Sequence, residues 1–154
     1  MGATHFSGPI YSQGIPLFGS LPLMPMNGGR AYFVDPENGA DGNTGDADSP
    51  LLSITNSSGT GAYDRCVSGR GDVVFLRGGP TSSGTTGQTV RLSSTLTWAK
   101  YNTHLVGLGA PTRVGQRSRI TGPSTGGTFS PVMTVSGHGC ILSLIHISET
   151  TRLR

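Results

Sequence analysis

Short apolar runs separated by turn-forming residues dominate this chain and predict many short β-strands. Ala31–Val34 is rich in β-branched and aromatic residues and is predicted as the first strand of the folded region. Val73–Leu76 is apolar at four consecutive positions, which is typical of a strand buried on both faces, as in parallel sheets. Five later strands are predicted at 89–92, 95–98, 104–108, 119–121 and 132–135.

The later strands follow one another with Gly, Asn or Pro between them and without intervening helices. A short helix is predicted only around 62–67. This spacing favours coils stacked in a solenoid, with a β-sandwich or jelly roll as the alternative. The absence of tight Asn-Gly hairpin turns between the later strands favours parallel stacking. Eight side chains are predicted to point into the core, each contributing ~1.5–3 kcal/mol: Val34, Val74, Leu76, Leu105, Val106, Ile120, Val132 and Val135.

Residues 1–29 are predicted to form an extended arm. Prolines at positions 9, 16, 22 and 25 interrupt both the helical and the strand periodicity. The arm nevertheless carries too many apolar residues for a free linker, and docking on a neighbouring subunit would explain them. These residues are Phe6, Ile10, Tyr11, Ile15, Leu17, Phe18, Leu21, Leu23, Met24 and Met26.

Composition supports a turn-rich all-β protein rather than a disordered one. Only 12% of the residues are charged, and the chain contains 25 Gly and 10 Pro. The basic residues are unevenly placed, because no Asp or Glu lies between Asp72 and Glu149. We interpret the basic stretch as a solvated surface. Nucleic-acid binding is not expected, because neither interleaved aromatics nor a known binding motif accompanies the charge. The basic residues in question are Arg77, Arg91, Lys100, Arg113, Arg117 and Arg119.

The two cysteines argue against a disulfide scaffold or a zinc site. Cys66 and Cys140 are far apart in the sequence and have no CxxC spacing or histidine partner. We interpret them as small apolar core residues of a chain made in a reducing compartment. No segment approaches the ~20 apolar residues that cross a bilayer, and no secretory signal is expected. Membrane contact is therefore not predicted.

The carboxylates between positions 35 and 48 resemble a calcium loop only in composition. Asp35, Asp41, Asn43, Asp46 and Asp48 lack EF-hand spacing and its final glutamate. Side chains that cap their own turns are the favoured interpretation. The integrin-like tripeptide at 70–72 is more simply a turn that leads into the next strand.

The sequence predicts no catalytic residue, no metal site and no cofactor. Polysaccharide lyases and hydrolases need paired carboxylates, often with calcium or an arginine base. Residues 73–141 contain no Asp or Glu, so this stretch cannot supply such a pair. His104 and His138 lie in or beside apolar strands, where a satisfied core or turn histidine is more common than a base. Phosphate-binding loops and nucleophile elbows are absent from the sequence.

Eight stretches of the sequence form a recognisable series: YFVDP at 32–36, NG at 38–39, DGNTG at 41–45, SPLLSI at 49–54, GDVVFLRGG at 71–79, HLVGLGAP at 104–111, RIT at 119–121 and VSGHGCI at 135–141. In this order they resemble the motifs of right-handed parallel β-helix proteins of the pectate-lyase-like type. In that family an entry motif leads into a short helix that caps the solenoid. Two departures are Arg77-Gly78-Gly79 where the family has Pro-Gly, and the lack of a clean helix after Ile54.

The segment ATHFSGPI at 3–10 resembles the start of β-helix structural proteins of tailed bacteriophages. The resemblance implies an all-β, single-stranded parallel β-helix that follows an extended arm. It also implies a non-catalytic virion protein of head or tail, assembled in the host cytoplasm. The implied partners are other virion proteins and further copies of the chain, with a trimer as one candidate.

Two alternatives remain open. A tailspike-type protein would degrade or bind polysaccharide, including a carbohydrate receptor, through an active face further along the chain. A bacterial surface or secreted β-helix protein would also bind or cleave carbohydrate. The arm and the missing signal peptide disfavour that third interpretation.

Residues 142–152, LSLIHISETTR, resemble a translated transposon-end adapter from sequencing libraries, LSLIHISEPTR, with Thr150 in place of proline. On this interpretation 142–154 is an artefact, and 30–141 is the entry motif with an incomplete set of coils. The alternative is a natural strand at 144–147 with a basic tail. We expect resequencing without such adapters to give a different continuation after Ile141. Recovery of the same eleven residues would contradict the adapter interpretation.

Overall fold

The computed structural model describes residues 11–12, 15–16, 29–78, 89–109, 118–122, 130–143 and 145–148. Within these ranges the regular secondary structure consists of β-strands apart from a single short helix, α1 at Ala62–Arg65. This confirms the all-β prediction. The strands are β1 Tyr11–Ser12, β2 Ile15–Pro16, β3 Ala31–Val34, β4 Val73–Leu76, β5 Thr89–Arg91, β6 Leu96–Trp98, β7 His104–Gly107, β8 Ser118–Thr121, β9 Met133–Val135, β10 Leu142–Ser143 and β11 Ile145–Ser148.

Three parallel sheets organise the strands from β3 onward. The first has the order β10-β7-β4-β3, the second β11-β8-β5, and the third pairs β6 with β9. From β4 to β11, consecutive strands visit the first, second and third sheets in the same repeating order. In the first sheet Val73 lies opposite His104, and Leu105 lies opposite Leu142. Parallel pairing was predicted and is confirmed. Sandwiches and jelly rolls are built of antiparallel sheets and do not fit it.

The predicted strands all form, with small shifts at their ends, and the helix predicted at 62–67 forms at Ala62–Arg65. One difference lies in the arm, where β1 and β2 make a two-residue antiparallel pair that the proline spacing did not predict. A strand this short can include Pro16 because proline is tolerated on a strand edge that needs no amide donor. The rest of the predicted arm lies outside the described residues.

The core is formed by alternate residues of the sheets. Val34, Leu105 and Ile120 are completely buried in one cluster, as predicted. Val106 is also buried, but it belongs to a second cluster with Val73 and Phe75 on the opposite face of the first sheet. The other predicted core residues in the first cluster are Val74, Leu76 and Val132.

The prediction for Val135 is wrong. Its side chain is 48% exposed, although it lies opposite the buried Trp98. The reason is its position in the third sheet, which within the described ranges consists of β6 and β9 alone. A side chain on such an edge strand lacks the neighbour that would cover it on the other side.

The segment that resembles an adapter contributes β10 and β11. Ile145–Ser148 pairs in parallel with Ser118–Thr121, and Leu142–Ser143 pairs with β7. An open parallel edge offers unpaired amides and carbonyls to any apolar strand that follows it. This pairing is therefore expected whatever the origin of the segment, and the adapter interpretation stays a prediction.

Candidate functional site

Most of the carboxylates lie in residues 29–78, here called the entry segment. Asp35 follows β3 and is almost completely buried. Its Oδ1 accepts hydrogen bonds from the amides of Glu37 and Asn38, both at 3.0 Å, and its Oδ2 lies 3.2 Å from an Arg77 guanidinium nitrogen. Burial alone would raise the pKa of Asp35, but these hydrogen bonds together lower it. Asp35 therefore caps its own turn, as predicted.

Asp41 joins two turns that are distant in the sequence. Its carboxylate accepts hydrogen bonds from the amides of Leu52 and Ser53, from the Ser53 hydroxyl at 2.6 Å and from the Asn56 side-chain amide at 2.9 Å. Burial opposes ionisation here too, yet the hydrogen bonds leave the pKa of Asp41 below its ordinary value. Asp35 and Asp41, which resembled calcium ligands in composition, therefore accept hydrogen bonds from the protein itself. Asp41 differs from the prediction in one respect, because it caps a remote turn rather than its own.

Asp72 is the most completely buried of these carboxylates, with no exposed surface. It forms a bidentate pair with Arg70, whose Nε and Nη2 lie 2.7 Å from the two carboxylate oxygens. The backbone amides of Arg30 and Val67 donate to the same oxygens, also at 2.7 Å. The pKa of Asp72 is lowered because these donors outweigh its burial. The tripeptide at 70–72 is thus an internal clamp, which agrees with its interpretation as a turn.

Lys100 connects the end of β6 to the entry segment. Its Nζ donates hydrogen bonds to the carbonyl oxygens of Tyr63, Asp64 and Cys66, at 2.7, 2.9 and 2.7 Å. The ammonium also lies 4.7 Å from the centroid of the Tyr63 ring. In return, the Tyr63 hydroxyl oxygen accepts hydrogen bonds from the amides of Ala99 and Lys100. Sequence analysis missed this role; the only signal was that Lys100 is the one lysine in the chain.

Lys100→Met is expected to lower the free energy of unfolding by about 2 kcal/mol, because hydrogen bonds from a charged donor contribute roughly 1.5–3 kcal/mol. Methionine keeps most of the aliphatic stem and removes only the ammonium. Denaturant unfolding measures the change. The matched control is Arg91→Met, at an exposed position on β5, which should alter stability by less than about 0.5 kcal/mol. Equal effects of the two substitutions would contradict the role of Lys100.

The histidines occupy structural positions, in line with their interpretation as core or turn residues. His104 is partly buried, and its Nδ1 accepts a hydrogen bond from the Ile141 amide at 3.2 Å. Burial lowers the pKa of His104, which agrees with the acceptor role of its Nδ1. His138 is exposed and stacks on the exposed ring of Tyr101, with 5.1 Å between the centroids and an interplanar angle of 3°.

Both cysteines are free thiols. Cys66 is buried in the main core, as predicted, and burial raises its pKa to about 12. A thiol with this pKa is protonated at neutral pH and is a poor nucleophile. Cys140 is only partly buried, at the edge of the core, and its Sγ lies 3.3 Å from the carbonyl oxygen of Lys100. The core interpretation therefore fits Cys66 fully and Cys140 in part.

These carboxylates are arranged to stay ionised and to hold the backbone. A general acid needs a pKa raised toward neutrality, whereas Asp35, Asp41 and Asp72 all have lowered values. Among the residues described, no group of three or more acidic, His or Cys side chains could hold a metal ion. Within the same ranges, no helix has the length and apolar character needed to cross a bilayer. Comparisons with models of protein families, with curated proteins and with solved structures find no match for the chain.

Proposed function

We propose that the chain forms the first coils of a right-handed single-stranded parallel β-helix and serves as a structural protein of a tailed-phage virion. The cyclic order of the strands supports the β-helix. Val73, in the first sheet, is followed by strands in the second and third sheets before the chain returns to pair His104 with Val73. A chain that repeats this path stacks one coil on the next, as in a solenoid.

The observation that carries the structural role is that three carboxylates, two buried and one half-buried, accept hydrogen bonds from within the protein. Asp35, Asp41 and Asp72 each accept at least three such hydrogen bonds. Their acceptor sites are occupied by backbone amides and neighbouring side chains rather than turned toward a ligand. An entry segment built in this way stabilises the end of a solenoid, where capping is required.

The assignment to a phage virion rests on the resemblance of residues 3–10 and of the entry motif. In this role the chain forms homo-oligomers, with a trimer as the first candidate, and contacts other virion proteins of the head or tail. Catalysis is not part of the role. The protein is located in the virion, after assembly in the host cytoplasm.

One observation favours carbohydrate binding as the second candidate function. Tyr101 and His138 form an exposed stacked pair on the turn regions that follow β6 and β9. Aromatic side chains with an apolar face and a polar edge suit ligands that combine both characters, as sugars do. A tailspike-type protein would use such a pair to hold a polysaccharide receptor.

Immunogold electron microscopy tests the structural proposal. Antibodies raised against the purified chain are expected to label tailed particles in the viral fraction of the source material, and pre-immune serum should not. Labelling confined to the cellular fraction would overturn the virion assignment. Size-exclusion chromatography with light scattering gives the oligomeric state independently.

A second test addresses activity. The purified chain is expected to release no reducing or unsaturated sugar ends from a panel of acidic and neutral polysaccharides, because Asp35, Asp41 and Asp72 have lowered rather than raised pKa values and accept hydrogen bonds within the protein. Turnover above the level of a heat-denatured sample would contradict this. Glycan binding that is lost in Tyr101→Ala but kept in the matched Tyr11→Ala would move the tailspike-type function to first place.

A further inference from the structure

The last strands of the three parallel sheets form one end of the stacked coils. These strands are β10 in the first sheet, β11 in the second and β9 in the third. We call the surface formed by β9, β10 and β11 the open end. Among the described strands, each of the three has a paired neighbour on one side only, so its other edge offers backbone amides and carbonyls to a further strand.

Core positions that are fully covered elsewhere become exposed at the open end. Val135 lies opposite Trp98, and Ile147 lies opposite Ile120, so each pair of side chains points to the same face of its sheet. Trp98 and Ile120 are completely buried, whereas Val135 is 48% and Ile147 43% exposed. The apolar core of the coils therefore reaches the surface at the open end.

The opposite edge of the first sheet is closed by the entry segment. The amide of Phe33 in β3 donates to the carbonyl oxygen of Gly45, and its own carbonyl oxygen accepts from the Leu51 amide, both at 2.8 Å. The amide of Asp35 then donates to the Leu51 carbonyl oxygen, also at 2.8 Å. Because these backbone groups are already paired, this edge offers no ladder to a strand of another molecule. Copies of the chain therefore do not stack with the open end of one on the entry segment of the next.

The open end also lacks the features that protect natural edge strands from pairing. Such strands commonly carry charged side chains or proline. Residues 120–148 contain no Asp, Glu, Lys or Arg, and β9, β10 and β11 contain no proline. Two copies of this surface can therefore approach each other without repulsion between like Asp, Glu, Lys or Arg charges. A surface that meets an identical copy of itself needs this self-complementarity.

We propose that the open end is an interface between two copies of the chain, which meet end to end about a two-fold axis. In this arrangement the open end of each copy covers the exposed Val135 and Ile147 of the other, and strand edge pairs with strand edge. Because the entry segment closes the other end, the assembly stops at two copies. The proposal rests on the observed strand pairing and not on the virion assignment, so either can fail without the other.

Analytical ultracentrifugation of the full chain tests the proposal. The unmodified chain is expected to sediment with twice the mass of one copy at about 100 µM and to dissociate on dilution. Val135→Lys brings like charges together in the interface and should raise the dissociation constant at least about tenfold. The matched control is Val67→Lys, because Val67 is 49% exposed but lies in the entry segment. This control should leave the dissociation constant unchanged.

A charge-swap experiment separates a lost interface from a disturbed fold. Val135→Glu alone should weaken association as Val135→Lys does, and an equimolar mixture of the two variants should recover the dimer, because opposite charges then meet. A mixture that associates no better than the separate variants would overturn the two-fold contact. So would an unmodified chain that is monomeric at about 100 µM, equal effects of Val135→Lys and Val67→Lys, or a trimer that Val135→Lys leaves intact.

Discussion

Replacing Asp72 by asparagine is expected to lower the free energy of unfolding by about 3 kcal/mol at pH 7. Asp72 has no exposed surface and receives four hydrogen bonds of 2.7 Å, two from Arg70 and one each from the amides of Arg30 and Val67. An asparagine side chain has no charge and only one acceptor oxygen. The donors that face its amide nitrogen therefore lose their hydrogen-bond acceptor. Because the Arg70 side chain is 27% exposed, water partly compensates its charge, and we expect the lower end of the range for a broken buried pair.

The matched control for this substitution is Asp48→Asn, at an exposed position in the same entry segment. It should change the free energy of unfolding by less than about 0.5 kcal/mol. Urea unfolding followed by circular dichroism measures both variants. Similar midpoints for Asp72→Asn and Asp48→Asn would show that the clamp at 70–72 contributes little to the fold.

The effect of the same substitution on the free energy of unfolding should depend on pH in a predictable direction. The pKa of Asp72 is below its ordinary value of 3.8 in the folded chain, so its stabilisation is complete above about pH 4. It is lost as the pH falls through the lowered folded-state value. The unmodified chain should therefore lose more stability between pH 7 and pH 3 than Asp72→Asn does. Asp35 and Asp41 act in the same direction, so the variant should retain part of the acid sensitivity.

The sequence predicted the sheets well because their signal is local. Val73–Leu76 is apolar at every position, and both of its faces are indeed covered. The turn at Asp35 could be predicted for the same reason, because Asp35 accepts hydrogen bonds from amides only two and three residues further along the chain. Strand positions and turns of this kind depend on neighbouring residues alone.

The contacts that join distant segments could not be predicted from the sequence. Lys100 reaches carbonyl groups of α1 through a fold that brings 63–66 beside the end of β6. Gly39 gives no local sign that a side chain there would collide with the carbonyl group of Leu51. Val135 has the same apolar character as buried valines, and only its place on an edge strand leaves it exposed. Such features depend on the three-dimensional neighbours of a residue rather than on its type.

Trp98→Ala is expected to lower the free energy of unfolding by about 4 kcal/mol, as is usual when a large buried aromatic side chain is removed. Trp98 is fully buried, and its ring lies 4.3 Å from that of Tyr63 in α1. Its indole Nε1 donates a hydrogen bond to the carbonyl oxygen of Thr103 at 3.3 Å. Trp98 thus joins the third sheet to the entry segment, and its removal opens a cavity between them.

Two further variants separate the contributions of Trp98. Trp98→Phe keeps an aromatic ring against Tyr63 and loses the indole hydrogen bond, so it should cost less than half as much as the alanine substitution. Thr97→Ala, on the exposed face of the same strand, should change stability by less than about 0.5 kcal/mol. Because Trp98 is the only tryptophan, unfolding has to be followed by circular dichroism rather than by tryptophan fluorescence. A loss below about 1 kcal/mol for Trp98→Ala would mean that the entry segment and the third sheet do not share one core. A loss near 4 kcal/mol with unchanged cooperativity would mean that α1, β6 and the turn at Thr103 unfold as one unit.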